Sequence, residues 1–144
     1  MKKTYNLILI YDKNGENILF CTRTKEPYKG LYNLIGGKVN QNEIPLDATY
    51  RELYEETNIS KNDIELYKLM DFNYYMPNQI FMEVYIGKLN KGINNIEIYG
   101  NENPLLWLNK NEFTFIEPIF AGDGNLNHII SIGNLIIDKL PKIS

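Results

Sequence analysis

The chain has 144 residues, 44% of them hydrophobic, and its formal net charge is −3 at neutral pH. This length and composition predict one domain over residues 1–144, with enough apolar residues for a continuous core. Because the chain is acidic and has no clustered Lys/Arg stripe, it lacks the electrostatic footprint of a protein that binds duplex nucleic acid or an anionic membrane.

The amino-terminal region and the single cysteine indicate the cellular compartment in which the protein is expected. Cys21 cannot form an internal disulfide, and polar Asn6 and Asp12 interrupt the first apolar stretch. That stretch is too short for a signal peptide or a spanning helix, and nothing indicates an oxidising compartment. We expect a cytoplasmic protein that is a monomer or a homodimer, with Cys21 packed in a strand.

The first elements are extended. Two apolar runs, 5–11 and 18–21, flank Asn14-Gly15, and Asn-Gly supplies the positive φ angles of a tight turn, so they predict a β-hairpin. Residues 26–42 are rich in Gly and mixed polar residues, which indicates a loop with short extended pieces. A ligand could approach the backbone there.

A helix follows over residues 45–58. Pro45 is favoured in a first helical turn, and apolar or packing residues recur at three- and four-residue steps at Leu46, Tyr50, Leu53 and Thr57.

The second half of the sequence predicts the rest of a sheet and a covering helix. Residues 66–75, 79–89 and 105–108 are typical of strands, and polar residues between 88 and 103 indicate an exposed connection. Apolar residues recur at helical spacing over 126–140, which predicts an amphipathic helix packed on the sheet.

Charged residues cluster on the first helix. Arg51, Glu52, Glu55 and Glu56 follow one another closely, and 3.6 residues per turn place the three carboxylates within roughly a 100° arc. Their mutual repulsion would be offset by Mg²⁺ or Mn²⁺, which prefer hard oxygen ligands. Taken alone, the cluster is also typical of a solvated acidic helix face.

The surrounding residues decide between these interpretations. The segment has the order Gly, five residues, Glu, seven residues, Arg-Glu-apolar-x-Glu-Glu, with a further apolar residue after the helix. It resembles the Nudix box, and chance agreement at six fixed positions is far below about one in a million per start point. The matching positions are Gly37, Glu43, Arg51, Glu52, Leu53, Glu55, Glu56 and Ile59.

One position departs from that pattern. Asn58 stands where the family has Gly, but Asn is the next best residue for a left-handed helix terminus, so the fold and the metal ligands are not in doubt. The close resemblance covers residues 36–59.

The resemblance implies an α/β fold: a Nudix-type α/β/α sandwich with a mixed β-sheet between the metal-binding helix and the C-terminal helix. It also implies that the Gly36 carbonyl, Glu52, Glu55 and Glu56 bind Mg²⁺ or Mn²⁺. Glu52 is the matched candidate for activating or positioning water.

Three further residues take supporting roles by the same resemblance. Arg51 and Glu43 would form an ion pair that holds the loop against the helix. Glu102, five residues before Trp107, lies in the region where many members supply one more metal-binding Glu. An exposed loop acid is the alternative for Glu102, and Glu97 is a weaker rival.

Candidate substrate contacts lie just outside the box. Tyr32-Asn33 is similar to Trp-Asn in the branch that hydrolyses oxidised purine nucleoside triphosphates, and an Asn amide can both donate to and accept from a purine edge. Lys38 could meet a phosphate, and Asp123 could reach a base. The alternatives are a loop hydrogen bond for Asn33, a solvated strand end for Lys38, and a turn or helix cap for Asp123.

These residues predict a small-molecule nucleotide hydrolase. The expected reaction is Mg²⁺-dependent hydrolysis of a phosphoanhydride bond in a nucleoside triphosphate, with oxidised purines such as 8-oxo-dGTP among the candidates, to a nucleoside monophosphate and pyrophosphate. Alternatives are a hydrolase of a dinucleoside polyphosphate, a nucleotide sugar or an RNA cap, and a non-catalytic module that senses nucleotides.

Overall fold

A computed structural model describes residues 2–112, 119–121 and 124–140 of the chain. In these ranges the strands are β1 (Lys3–Tyr11), β2 (Asn17–Thr22), β3 (Tyr32–Asn33), β4 (Ile35–Lys38), β5 (Tyr67–Tyr74), β6 (Ile80–Lys88) and β7 (Leu105–Asn109). The α-helices are α1 (Pro45–Thr57) and α2 (Asn125–Ile136), and short 3₁₀ turns cover Ile93–Asn95 and Ile137–Lys139.

Strand β1 is the centre of one mixed sheet. It runs parallel to β6 along its whole length and antiparallel to β2 and to β4. The order is β3-β2-β1-β6-β5, with β7 added on β2. The predicted mixed sheet is therefore confirmed, and the pairing of β1 with β4 places the Gly36-Gly37 segment against the first strand.

Alternate residues of β1 enter two separate cores. Leu9 and Tyr11 pack with apolar residues of α2, whereas Ile8 and Ile10 pack on the opposite face with Leu53 of α1. Successive side chains of a strand point to opposite faces, so a central strand covered on both sides is apolar throughout. This arrangement confirms the α/β/α sandwich.

The first hairpin is confirmed, but its turn differs from the prediction. Of the Asn14-Gly15 pair, only Gly15 has a positive φ, 70°. The connection spans residues 12–16: the Asp12 carbonyl accepts the Gly15 N–H at 2.9 Å, and its carboxylate accepts the Glu16 N–H at 2.9 Å. Asp12 organises this longer turn, so Asn-Gly does not act as a two-residue loop.

Helix α1 begins and ends as the sequence predicts. Pro45 occupies the first turn, and Asn58 takes the left-handed conformation at φ 67°, with its N–H donating to the Tyr54 carbonyl at 2.9 Å. Asn thus performs the terminating role of the family's Gly.

The later elements also agree with the prediction within a residue or two, and α2 ends four residues early because the chain continues as a 3₁₀ turn. Cys21 is buried in β2, as expected. No helix in the described ranges has the length and apolar character needed to cross a lipid bilayer.

Candidate active site

Three glutamates of α1 differ in exposure although they share one side of the helix. The side chain of Glu52 is 13% exposed and that of Glu55 is 49% exposed, while Glu56 is half-buried. The apolar side of the helix, at Leu53, packs on the sheet. The carboxylates therefore lie along the border between the helix and the loop that precedes it.

Arg51 connects that loop to the helix. Its Nε and Nη2 bind the two carboxylate oxygens of Glu43 at 2.6 and 3.0 Å, and Nη2 also donates to the Lys38 carbonyl at 3.3 Å. The backbone N–H of Asn40 donates to Glu43 at 3.1 Å. The predicted ion pair between Arg51 and Glu43 is present, in the two-pronged geometry that only Arg provides.

The other end of the same guanidinium reaches two of the proposed metal ligands. Arg51 Nη1 lies 3.0 Å from Glu52 Oε1 and 3.1 Å from Glu55 Oε2. Burial raises the pKa of Glu52, Arg51 partly reverses that shift, and the negative charge of Glu55 adds to it. Arg51 thus compensates some of the repulsion that the clustered acids create.

Two glycines allow the loop to approach this cluster. A Cβ atom on Gly37 would lie 2.3 Å from Glu52 Cδ, and one on Gly36 would lie 2.0 Å from the Asn6 carbonyl oxygen. Backbone atoms leave no room for a side chain at Gly36, whereas a side chain at Gly37 would displace the Glu52 carboxylate, so the backbone at Gly37 lies directly against that carboxylate.

Glu56 faces a cavity of about 430 Å³ that also contacts both glycines. Burial raises the pKa of Glu56, and the charges of Glu52, Glu102 and Glu55 raise it further. Glu102 is exposed, but its charge acts on Glu56, which places it on the same side of the molecule as the α1 acids.

The donor set fits a divalent cation. Within the described ranges no three His, Cys, Asp or Glu side chains form a ready-made ion cage, and Arg51 pairs with two of the acids. Even so, a backbone carbonyl at Gly36 and carboxylates at Glu52, Glu55 and Glu56 are hard oxygen donors, and two of these acids have raised pKa values that a cation would lower again.

The cavity continues into a second one of about 480 Å³, and the two share lining residues on β1, β3, β6 and the loop before β3. They form one cleft with the acidic cluster at one end and the β5–β6 turn at the other. The shared residues are Leu7, Tyr28, Asn33, Ile80 and Met82.

The structure separates the predicted substrate residues. Asn33 lines both cavities, but the Tyr32 ring turns away and packs 5.9 Å from Phe120, because neighbouring residues of a strand point to opposite faces. Lys38 is exposed and contributes its carbonyl to Arg51, and its side chain does not line the cleft in the described part of the chain. Asp123 lies outside the described residues.

Sequence reasoning missed several cleft residues. Arg23 supplies the one cationic side chain that lines the cleft among residues 2–112, 119–121 and 124–140, and its Nε donates to the Pro27 carbonyl at 2.7 Å. Tyr28, Asn103 and buried Asn6 also line it. No motif marks them, because the sheet brings together positions that are distant in sequence.

Comparison with known proteins identifies related folds. The family model of the NUDIX domain matches residues 2–125. A C. elegans Ap4A hydrolase superposes with a TM-score of 0.75 at 16% identity, covering 96% of this chain and 99% of that one. No curated protein matches the chain.

Two structures of proteins called MutT are similar as well. The one from Methanosarcina mazei has a TM-score of 0.69 at 16% identity, with 97% of this chain and 96% of that chain covered. The one studied from Aliivibrio salmonicida and Vibrio cholerae has a TM-score of 0.66 at 15% identity, with 92% and 97% covered. At such identities the likeness concerns the fold.

Proposed function

The chain belongs to the Nudix family of pyrophosphohydrolases, which act on nucleoside diphosphate derivatives, and we propose that its substrate is a nucleoside triphosphate cleaved to a nucleoside monophosphate and pyrophosphate. The observation that supports this most is the single cleft in which Glu56 and the Gly36-Gly37 segment lie at one end and Asn33 borders both cavities. The polyphosphate would lie by the acids and the base by Asn33.

The acids hold the cation in this proposal. The Gly36 carbonyl, Glu52, Glu55 and Glu56 would hold Mg²⁺ or Mn²⁺, with Glu102 approaching from the loop before β7. When bound, the cation neutralises phosphate oxygens and orients the chain, which lowers the barrier to attack by water on an anionic centre.

The protein's own groups perform the remaining tasks. Glu52, the residue that the resemblance matches to water activation, positions the attacking water and accepts its proton. Arg51 and Glu43 hold the loop against the helix, and Arg23 supplies a positive charge within the cleft. The apolar walls at Leu7, Ile80 and Met82 would exclude water around the base.

Recognition of the base falls to Asn33. Its Oδ1 accepts the Leu34 backbone N–H at 2.9 Å, which orients the amide, and the amide can still donate to a purine edge. An oxidised purine such as 8-oxo-dGTP presents such an edge, so we place it among the first substrates to test.

A second candidate substrate is a dinucleoside polyphosphate. It is favoured by the size of the cleft, because the second cavity of about 480 Å³ has room for another nucleoside beyond Asn33. The Ap4A hydrolase from C. elegans shares the fold. A sensor that binds nucleotide without cleaving it is less favoured, because all three helix acids are intact.

A substrate panel separates these possibilities. Ordinary and oxidised nucleoside triphosphates, a dinucleoside tetraphosphate, a nucleotide sugar and a capped RNA would be incubated with Mg²⁺ or Mn²⁺ and their products identified. Monophosphate plus pyrophosphate supports the proposal, whereas monophosphate plus triphosphate from the dinucleotide supports the second candidate. Metal-dependent binding without turnover of any compound would replace both proposals with a nucleotide sensor.

Two further experiments test the expected location and oligomeric state. Fractionation of cells would test the cytoplasmic location, and sedimentation of the purified protein would test the monomeric or homodimeric state.

A further inference from the structure

Asn6 is a polar residue in a position where its neighbours are apolar. It lies on β1, two and four residues before Ile8 and Ile10, and therefore on the face that packs under α1. Asn6 is only 2% exposed. An amide buried in this way destabilises the fold unless hydrogen bonds satisfy it, so its partners matter.

Those partners belong to the loop and to α1. Asn6 Oδ1 accepts the Gly37 backbone N–H at 2.9 Å, and its Nδ2 donates to Thr49 Oγ1 at 3.5 Å. Thr49 is fully buried, and its hydroxyl donates to the Pro45 carbonyl at 2.8 Å. One amide thus joins the first strand, the glycine segment and the first turn of the helix.

Peptide geometry gives this contact a direction. The Gly37 N–H and the Gly36 carbonyl belong to the same planar, trans peptide unit, so they point to opposite sides. Holding the N–H toward Asn6 therefore fixes the direction of the Gly36 carbonyl. The pairing of β4 with β1 also restrains this unit, but two glycines flank it, and their φ and ψ angles are the least restricted of any residue, so the bond to Asn6 adds a restraint.

We propose that Asn6 is a positioning residue that orients the Gly36 carbonyl toward a divalent cation, with Thr49 orienting the Asn6 amide. The inference rests on the proposed function only in taking that carbonyl as a cation ligand. Asn6 lies outside the Nudix box, and its side-chain amide forms hydrogen bonds with Gly37 and Thr49 and not with the acids of α1 in the described part of the chain.

The test compares Asn6→Leu with Asn6→Asp, using Ile10→Ala as a control of the same strand and face. Mn²⁺ binding to the nucleotide-free protein would be measured by electron paramagnetic resonance, and Gly37 amide exchange by NMR. We expect Asn6→Leu to weaken Mn²⁺ binding about tenfold and to speed Gly37 exchange, as loss of an outer-shell partner does. Asn6→Asp keeps the acceptor and should retain slow exchange.

Two results would overturn the proposal. One is Mn²⁺ affinity and Gly37 exchange in Asn6→Leu equal to those of the unaltered protein. The other is an equal loss of Mn²⁺ affinity in Ile10→Ala at matched loss of stability, which would mean that any defect in this core has the same effect.

A second variant keeps the inference testable should Asn6→Leu not fold. Thr49→Val removes the partner that orients the amide, so a few-fold weaker Mn²⁺ affinity and faster Gly37 exchange are expected, and unchanged values contradict the proposal. Both readouts are made without substrate. A substrate panel with no turnover would therefore count against the proposed function and leave this result standing.

Discussion

The two faces of the sheet are covered by helices of very different character. On one face, α2 buries Leu126, Ile129 and Ile130, and Gly133 lies so near Leu9 that a Cβ atom would come within 2.3 Å of its side chain. On the other face, α1 has Leu53 as its one large buried apolar residue and presents its acids to the loop. The α2 interface is made mainly of large apolar side chains, whereas α1 packs on its own apolar core through Leu53 and keeps its acids at the border with the preceding loop.

We therefore expect catalytic activity to depend mainly on the α1 face of the sheet and stability mainly on the α2 face. Apolar contacts of α2 contribute to the free energy of unfolding, whereas the acids of α1 repel one another and raise each other's pKa values. Substitutions at the acids should cost activity without costing stability. Substitutions under α2 should do the reverse where they lie away from the cleft, which Asn125 and Leu126 line.

The largest effect is expected for Glu56→Gln. Losing a cation ligand should reduce kcat by about 1,000-fold, roughly 4 kcal/mol in the barrier. Because the raised pKa of Glu56 shows that its charge is disfavoured in the folded protein, the metal-free free energy of unfolding should stay equal or rise slightly. Kinetics and urea unfolding measure the two quantities.

Asp47→Asn is the matched control for Glu56→Gln, since Asp47 is an exposed acid in the first turn of the same helix, 3.9 Å from Lys61. It should keep full activity. Activity of Glu56→Gln equal to that of the unaltered enzyme would remove Glu56 from the mechanism.

The reverse effect is expected for Ile129→Ala, on α2. Ile129 is fully buried, so truncation should lower the free energy of unfolding by about 3 kcal/mol. Below the melting transition kcat should stay within about twofold, since the acids lie on the other face. Leu135→Ala, at a site 69% exposed on the same helix, should change neither quantity. A kcat that falls in step with stability would contradict the separation of the faces.

Arg51→Lys should change both kcat and the free energy of unfolding, each moderately. Lysine keeps the charge but cannot bind both oxygens of Glu43 while reaching Glu52 and Glu55. We expect kcat to fall about tenfold and the free energy of unfolding by about 1 kcal/mol. Full activity in Arg51→Lys would show that activity does not need the two-pronged binding of Glu43 by Arg51.

The smallest effect concerns Asp63, a buried acid on the α1 face away from the cleft. Burial raises its pKa, but the Ser60 backbone N–H and Lys91 more than reverse this, so its pKa is lowered. A lowered folded pKa gives stability that is present above the unfolded pKa, about 4, and is lost as pH falls through the folded value. Asp63→Asn should therefore cost about 1 kcal/mol at pH 7 and less as the pH falls below about 4.

Unfolding of Asp63→Asn and the unaltered protein across this pH range checks the sign. A deficit that grows as the pH falls would contradict it. Asp63 and Glu56 are both carboxylic acids near α1, but the pKa of Asp63 is lowered and that of Glu56 is raised, so their charges should affect stability in opposite directions.

The parts of this architecture that were predictable depend on local pattern. The helix at Pro45, its end at Asn58 and the acids at Glu52, Glu55 and Glu56 follow from spacing along a few turns. The pair Arg51–Glu43 followed from the resemblance, because the box fixes both residues.

The unpredicted parts depend on pairing between distant strands. In the sequence, Asn6 is a polar residue that interrupts the first apolar run. Only the register of β1 with β4 reveals that it faces Gly37. Arg23 and Tyr28 line the same cavity as Met82 although they are distant from it in sequence, and no motif marks them. Tyr32 is instructive, since the twofold period of a strand already implies that it cannot point the same way as Asn33.

Cation binding by one side of α1 is the central claim, and a crystal structure with Mn²⁺ and a non-hydrolysable nucleoside triphosphate analogue tests it most directly. We expect Mn²⁺ bound by the Gly36 carbonyl and by carboxylates of Glu52, Glu55 and Glu56, with phosphate oxygens of the analogue on the same ion and the base beside Asn33. Nucleotide bound elsewhere, with those carboxylates still paired only to Arg51, would contradict it.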